Sequence, residues 1–361
     1  MEEKDVLFGL HEIEGVGWDT ISEIAAAVPD LALLLKEPAS ELLAGTKVPR
    51  NKAKRIEAAL TNEFIAGKLN FYERLGITPV SRFDPRYPPL LAYGVEKPPW
   101  VLYAMGDVSL LGKTCIAVVG TRSPTAYGRE AAEWFGAELA AADLPVVSGL
   151  AYGIDSYAHA GALRTSGATI AVLGNGLHVY YPREHRELQR EIARRGLVIS
   201  EFSLNARPTE LTFPRRNRLI AGIARAVVVV EAAARSGSLH TAGIARNAGR
   251  DVFAVPGPVT SPKSAGTLAL LKDGALLASA PQDIMEEYGI SSSAVRRAQQ
   301  EGLTPDEREL LAAVGGEAVT IDELIARTGR NFGHLHNVLL SLLVKRRVRT
   351  LPGSRYIARM N

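Results

Sequence analysis

Cys115-Ile116-Ala117-Val118-Val119-Gly120-Thr121-Arg122 is an unbroken apolar run that ends in a small residue, a hydroxyl and a cation. A half-exposed strand alternates polar and apolar residues. This one does not, so both of its faces are buried, as in the parallel strands of an α/β sheet. Runs at 145–148, 169–173, 197–199, 226–230 and 252–255 share this character. Between them lie helical patterns at Gly128–Ala142, Ile154–Ser166, His185–Arg194 and Ser238–Ala248. Such alternation predicts a doubly wound, Rossmann-like parallel sheet.

Outward from this block the patterns change. Residues 1–70 read as short helices, a small SAM or helix-hairpin-helix-like domain around Ile13-Glu14-Gly15-Val16-Gly17-Trp18. A hairpin of this kind can offer N–H groups to a phosphate, but Gly-x-Gly turns are common and the reading favours a packing module. The basic patch Arg50-Asn51-Lys52-Ala53-Lys54-Arg55 reads as a solvated helix face. A Pro-rich passage from Pro79 to Pro99 leads into a strand at Trp100–Tyr103, and the sheet domain is expected over 71–287. Residues 288–303 read as a polar linker. From 304 to 361, a capping box at Thr320-Ile321-Asp322-Glu323, a helix from Phe332 to Val344 and a hairpin turning at Pro352-Gly353 predict a winged helix. Lys345, Arg346, Arg347, Arg349, Arg355 and Arg359 crowd its tail, which suits phosphate contacts, whereas many winged helices serve protein contacts instead.

Composition narrows the function classes. A net charge of +3 over 361 residues confines any nucleic-acid surface to a local patch. The single cysteine, Cys115, excludes an intramolecular disulfide and fits a reducing compartment, so the expected location is the cytoplasm. The acidic start Met1-Glu2-Glu3-Lys4-Asp5 leads into no apolar run of signal-peptide type, and no stretch has the length of a membrane span.

In an open parallel sheet, ligands bind beyond the carboxyl ends of the strands. Those ends read Gly120-Thr121-Arg122, Ser148-Gly149, Gly174-Asn175-Gly176, Ser200-Glu201, Glu231-Ala232 and Pro256-Gly257. Small residues there let a ligand approach the backbone, and Gly149–Gly153 is a glycine-bracketed turn able to cradle phosphate. Phe213-Pro214-Arg215-Arg216-Asn217-Arg218 opens a helix with three cations, facing the positive end of the helix dipole. An aromatic beside arginines suits single-stranded nucleic acid, with bases on the ring and phosphates on guanidiniums. A solvated turn paired with Glu201 or Glu210 is the alternative, and the segment alone leaves both open.

Enzyme motifs are missing. The nearest Walker A spacing, Gly106 to Gly112-Lys113-Thr114, precedes its strand, and Gly174-x-Gly176 meets Val179 where a dinucleotide fingerprint needs glycine. The histidines His159, His178, His185 and His240 lack zinc-ligand spacing. Asp155 and His159, one helical turn apart, read as a structural contact. No Gly-x-Ser-x-Gly elbow is present.

The central block resembles the DNA-processing protein A (DprA/Smf) family. The resemblance is carried in order by Val119-Gly120-Thr121-Arg122, Tyr127-Gly128, Ser148-Gly149-Leu150-Ala151, Gly153-Ile154-Asp155, Ala158-His159 and Thr169–Gly174. It continues through Tyr181-Pro182, Ser200-Glu201, Phe213-Pro214-x-Arg216-Asn217-Arg218, Ser236-Gly237-Ser238, Thr241-Ala242 and Val255-Pro256-Gly257. It implies a homodimer, without cofactor or catalytic group, that binds single-stranded DNA during natural transformation and helps load the RecA recombinase. It also implies that Arg122 binds phosphate and that Phe213, Arg216 and Arg218 line the pocket, with Arg215 at a position the motif leaves free. Gly120, Thr121, Ser148, Gly149, Gly153 and Asn217 complete the expected site. Tyr152 stands where many members carry arginine, and Leu268 where many carry asparagine. A phosphoribohydrolase on the same sheet would need a carboxylate in the turn Ser236–Ile244, which has none; a nucleotide sensor is the other alternative.

Overall fold

A segment apolar on both faces can satisfy its backbone only between two neighbours in a covered sheet. That is where each apolar run lies. The computed structural model describes residues 1–290, 303–344, 347–351, 353 and 355–358. One sheet contains β1 (Thr78–Ser81), β2 (Val101–Gly106), β3 (Ile116–Val119), β4 (Val146–Ser148), β5 (Thr169–Val172), β6 (Leu197–Ser200), β7 (Ala226–Val229), β8 (Asp251–Ala254) and β9 (Leu276–Leu277). Its spatial order is β1-β2-β6-β5-β4-β3-β7-β8-β9. The sequence runs outward from β3 to β6, then crosses back to β7 beside β3, which makes β3/β7 the topological switch point. The sheet is parallel from β6 to β9, but β2 is antiparallel to β6 and β1 to β2. Strand direction leaves no mark in hydrophobic patterning, so this antiparallel edge was not foreseen.

The helices of the first 74 residues are α1 (Glu3–Glu12), α2 (Trp18–Ala27), α3 (Ala39–Leu42), α4 (Arg50–Ala59) and α5 (Asn62–Arg74). Then come α6 (Pro89–Gly94), α7 (Ala126–Ala141), α8 (Ile154–Leu163), α9 (Arg186–Arg195), α10 (Thr212–Ile223), α11 (Gly237–Asn247), α12 (Ala265–Lys272) and α13 (Pro281–Glu287). Side chains alternate across the strands. Ala117, Val119, Val147, Val227 and Val229 pack with Leu219, Ile220 and Ile223 of α10, whereas Tyr103, Ala171 and Val198 pack with Leu163 of α8 and Ile192 of α9. On the second face α7 and α8 touch through glycines: a Cβ on Gly136 would lie 2.2 Å from the Ala158 carbonyl oxygen, and one on Gly161 2.1 Å from that of Glu133.

The boundary expected near residue 70 is not a break in packing, because Met1–Ile284 form one compact unit. Trp18 Nε1 donates to the Pro98 carbonyl over 2.7 Å and its ring packs on Trp100, while Ser81 donates to the Lys4 carbonyl. In the glycine hairpin before α2, Arg55 donates to the Glu14 carbonyl, and Ile21 and Ile24 are fully buried. These contacts tie the hairpin into the helical core of the first 74 residues. Lys52 donates to Thr20, so the basic patch on α4 is partly structural.

Met285–Asn361 form a second unit. Here α14 (Pro305–Val314), α15 (Ile321–Thr328) and α16 (Phe332–Val344) accompany a sheet ordered β10 (Val319–Thr320), β12 (Arg355–Ala358), β11 (Val348–Leu351). Capping boxes Thr304–Glu307 and Thr320–Glu323 start the first two helices, and Leu310, Leu324, Leu335, Leu339 and Val348 form the core. Most of the expected linker, together with Lys345, Arg346, Pro352 and Arg359, lies outside the described residues.

Asp155 and His159 do not bond to each other: Asp155 accepts from the Gly149 N–H, and His159 Nδ1 lies 2.7 Å from Thr169 Oγ1. The Thr169 hydroxyl donates to the Val146 carbonyl, so His159 is the donor to it and its buried Nε2 is bare. Burial lowers the His159 pKa to about 3. The unfolded chain therefore binds an extra proton between the ordinary histidine pKa and that value, and stability falls as pH drops through this window. From pH 7 to 5 the loss is about 2 kcal/mol, near 4 °C in a domain of this size. Thermal melts of His159→Asn should lose roughly that much less over the interval; equal slopes would clear His159 of the effect.

Candidate nucleic-acid interface

A pocket opens beyond the carboxyl ends of β3, β4 and β5, walled by the start of α10. It is lined by Arg122, Gly149, Ala151, Tyr152, Leu173, Gly174, Asn175, Tyr181, Pro182, Phe213 and Arg216. Beside it, at the switch point between β3 and β7, stands Glu231. This buried carboxylate accepts from the Thr125 N–H at 2.9 Å and its hydroxyl at 2.7 Å, fixing the loop that follows β3. Thr125 in turn caps α7. Arg122 is thereby carried on an anchored loop at the mouth.

Arg122 is exposed, and its guanidinium carbon lies 5.6 Å from the centroid of the Phe213 ring. Among the described residues no carboxylate pairs with it. Phe213 touches Gly174, where a Cβ would come within 2.9 Å of the ring, and lies 5.3 Å centroid-to-centroid from the exposed Tyr181. Two aromatic faces and a free cation share one opening.

The other arginines of the segment have different fates. Arg216 is buried and donates to the carbonyls of Gly149 and Val172, with its Nε on Asn217 Oδ1 at 3.2 Å. Burial lowers its pKa to about 10, opposed by the charge of Asp155. Burial likewise pushes the Asp155 carboxyl up, opposed by Arg216 and by backbone N–H donors that include Gly149. Arg216 thus forms the pocket floor as a cation held inside the fold. Arg218 turns away to the buried Glu201, which also lies 3.4 Å from Arg215. Arg215 remains exposed and lies over the Phe202 ring. The pairing with Glu201 raised by the sequence is present for these two, and neither lines the pocket.

The rim residues divide in the same way. Gly149 is the close-approach position, since a Cβ there would meet the Arg216 guanidinium at 2.5 Å. Gly120 packs against Ile154 and Gly153 against the Thr121 and Arg122 backbone. Thr121 donates its N–H to the Glu231 carbonyl, and Ser148 is fully buried with its hydroxyl on the Val118 carbonyl. These four shape the rim from behind. Seven pocket residues stand outside the expected site: Ala151, Tyr152, Leu173, Gly174, Asn175, Tyr181 and Pro182. Gly174 and Asn175 fall on a strand end expected to face a ligand, and Ala151, Leu173, Tyr181 and Pro182 fall within the motifs that carry the family resemblance. Tyr152 donates to Glu184 over 2.5 Å and packs edge-on against His185. Among the described residues no cluster of His, Cys, Asp and Glu could hold a metal ion, and no helix is long and apolar enough to cross a membrane.

Residues 78–289 match the family model for DNA recombination-mediator protein A, and 294–354 match the DprA winged helix domain. The chain belongs to this family. It is 39% identical over 276 residues to protein Smf of Escherichia coli, covering 74% of each chain. It is 38% identical over 237 residues to DNA processing protein DprA of Bacillus subtilis, covering 64% of this chain and 80% of that one. Among solved structures, DprA of Streptococcus pneumoniae superposes with a TM-score of 0.68 at 31% identity, covering 80% of this chain and 99% of that one. DNA processing protein A of Helicobacter pylori, described for its single-stranded DNA binding mode, gives 0.53 at 30% identity, covering 59% and 95%. The family's fold, a mostly parallel sheet followed by a winged helix, is the fold of this chain.

Proposed function

We propose that this chain binds single-stranded DNA at the rim pocket, a phosphate on Arg122 and a base against Phe213. It acts as a recombination mediator rather than an enzyme: a homodimer that shields DNA entering in natural transformation and helps load RecA onto it. The observation that carries the reading is the free Arg122 cation held over an aromatic face at the mouth of a glycine-lined pocket. A cation with no carboxylate calls for an external anion, and an aromatic beside it accepts any base. Membership of a DNA-processing family and the DNA-binding relative from Helicobacter pylori support the same partner.

Fluorescence anisotropy across a salt series tests this. The slope of log K against log salt should be roughly −0.7 per phosphate neutralised, and a salt-insensitive affinity would rule out the electrostatic pocket. Phe213→Ala should weaken binding about tenfold, within the ~1–3 kcal/mol of a stacked base, whereas Phe213→Trp keeps most of it. Incubation with nucleoside monophosphates should release no free base; release would favour the hydrolase reading.

A further inference from the structure

The rim pocket leaves one strongly basic helix without a role. Arg186, Arg190 and Arg194 recur every four residues along α9, so they form a single stripe, and all three are exposed. The acids fall on the adjoining side: Arg190 pairs with Glu187 at 2.9 Å and Arg195 with Glu191 at 3.1 Å. No carboxylate among the described residues pairs with Arg186 or Arg194. The Tyr180 ring lies against two members of the stripe, 5.2 Å from the guanidinium carbon of Arg186 and 5.6 Å from that of Arg190. Tyr180 adjoins Tyr181 and Pro182, both lining the pocket. The stripe is therefore continuous with the pocket lip.

Spacing and charge decide what fits it. Four residues of helix rise about 6 Å, comparable to the step between phosphates of an extended single strand. A lone anion would use one arginine; a polyanion with a regular charge repeat can use all three, with Tyr180 as a further stacking surface. We propose that α9 is a track along which single-stranded DNA leaves the rim pocket, its phosphates on Arg186, Arg190 and Arg194. This rests on the rim pocket being the DNA site.

The test compares two oligothymidylates on the full chain, one of about two nucleotides that stays within the pocket and one of about twenty that reaches α9. In the triple variant Arg186→Gln, Arg190→Gln, Arg194→Gln, affinity for the long strand should fall about tenfold or more. The salt slope should shrink by roughly 2, from three lost contacts, while short-strand affinity stays within about twofold. The corresponding triple lysine variant keeps the slope. Arg194→Gln alone, which leaves the helix least altered, should give about a third of the slope change. Equal losses on both lengths, or none on the long strand, overturn the track; the latter leaves the stripe to an acidic protein partner. Failure of the pocket itself reads differently, as Arg122→Glu leaving short-strand binding intact.

Discussion

Arg122→Glu should lower affinity for single-stranded DNA at least about thirtyfold while leaving the thermal midpoint unchanged. A charge-assisted contact to phosphate contributes about 1.5–3 kcal/mol, and the new carboxylate adds repulsion at the same point, so roughly 2 kcal/mol or more is lost; 1.4 kcal/mol is tenfold. Stability is spared because Arg122 is exposed and its loop is held by Glu231 and Thr125, not by its own side chain. The cation over Phe213 supplies only about 0.5–1 kcal/mol at such a site. Arg122→Gln should fall between the two, with the salt slope reduced by roughly 0.7. Anisotropy with a matched thermal melt measures both quantities. Unchanged affinity with an intact fold would move the DNA site away from the rim.

Arg216→Met should behave in the opposite manner, chiefly as a loss of stability. The substitution removes the charge that offsets buried Asp155 and takes the guanidinium donor away from the carbonyls of Gly149 and Val172. Removing one member of a buried charged pair costs about 3–5 kcal/mol, or on the order of 6–10 °C in midpoint for a domain of this size. Adding Asp155→Asn should restore part of it, because the uncompensated charge goes with the second substitution. A double-mutant cycle by chemical denaturation measures the coupling. An Arg216→Met protein as stable as wild type would mean that Arg216 is held there for ligand contact alone. DNA affinity should fall in this variant too, since Arg216 forms the pocket floor.

The contrast between these arginines marks where sequence reading stops. Strand positions were legible because burial on both faces demands a continuous apolar run, and β3 to β8 lie on those runs. The Thr320–Glu323 capping box was legible because both its hydrogen bonds close within four residues. The rim location of Arg122 followed from its place after β3 in an open sheet. Local spacing determines such features, since the interactions that make them span one turn or one pleat.

The fate of each cation does not follow from spacing. Arg216 and Arg218 are two residues apart on α10, yet one reaches into the fold to carbonyls after β4 and on β5, and the other turns to Glu201 after β6. Their partners lie 67, 44 and 17 residues away and are brought near only by the strand order β6-β5-β4-β3. Glu231 at the switch point, Tyr181 against Phe213 and the antiparallel edge of β1 and β2 have the same origin. A long flexible side chain takes whatever acceptor the packed sheet presents, and that acceptor exists only once distant strands are in register.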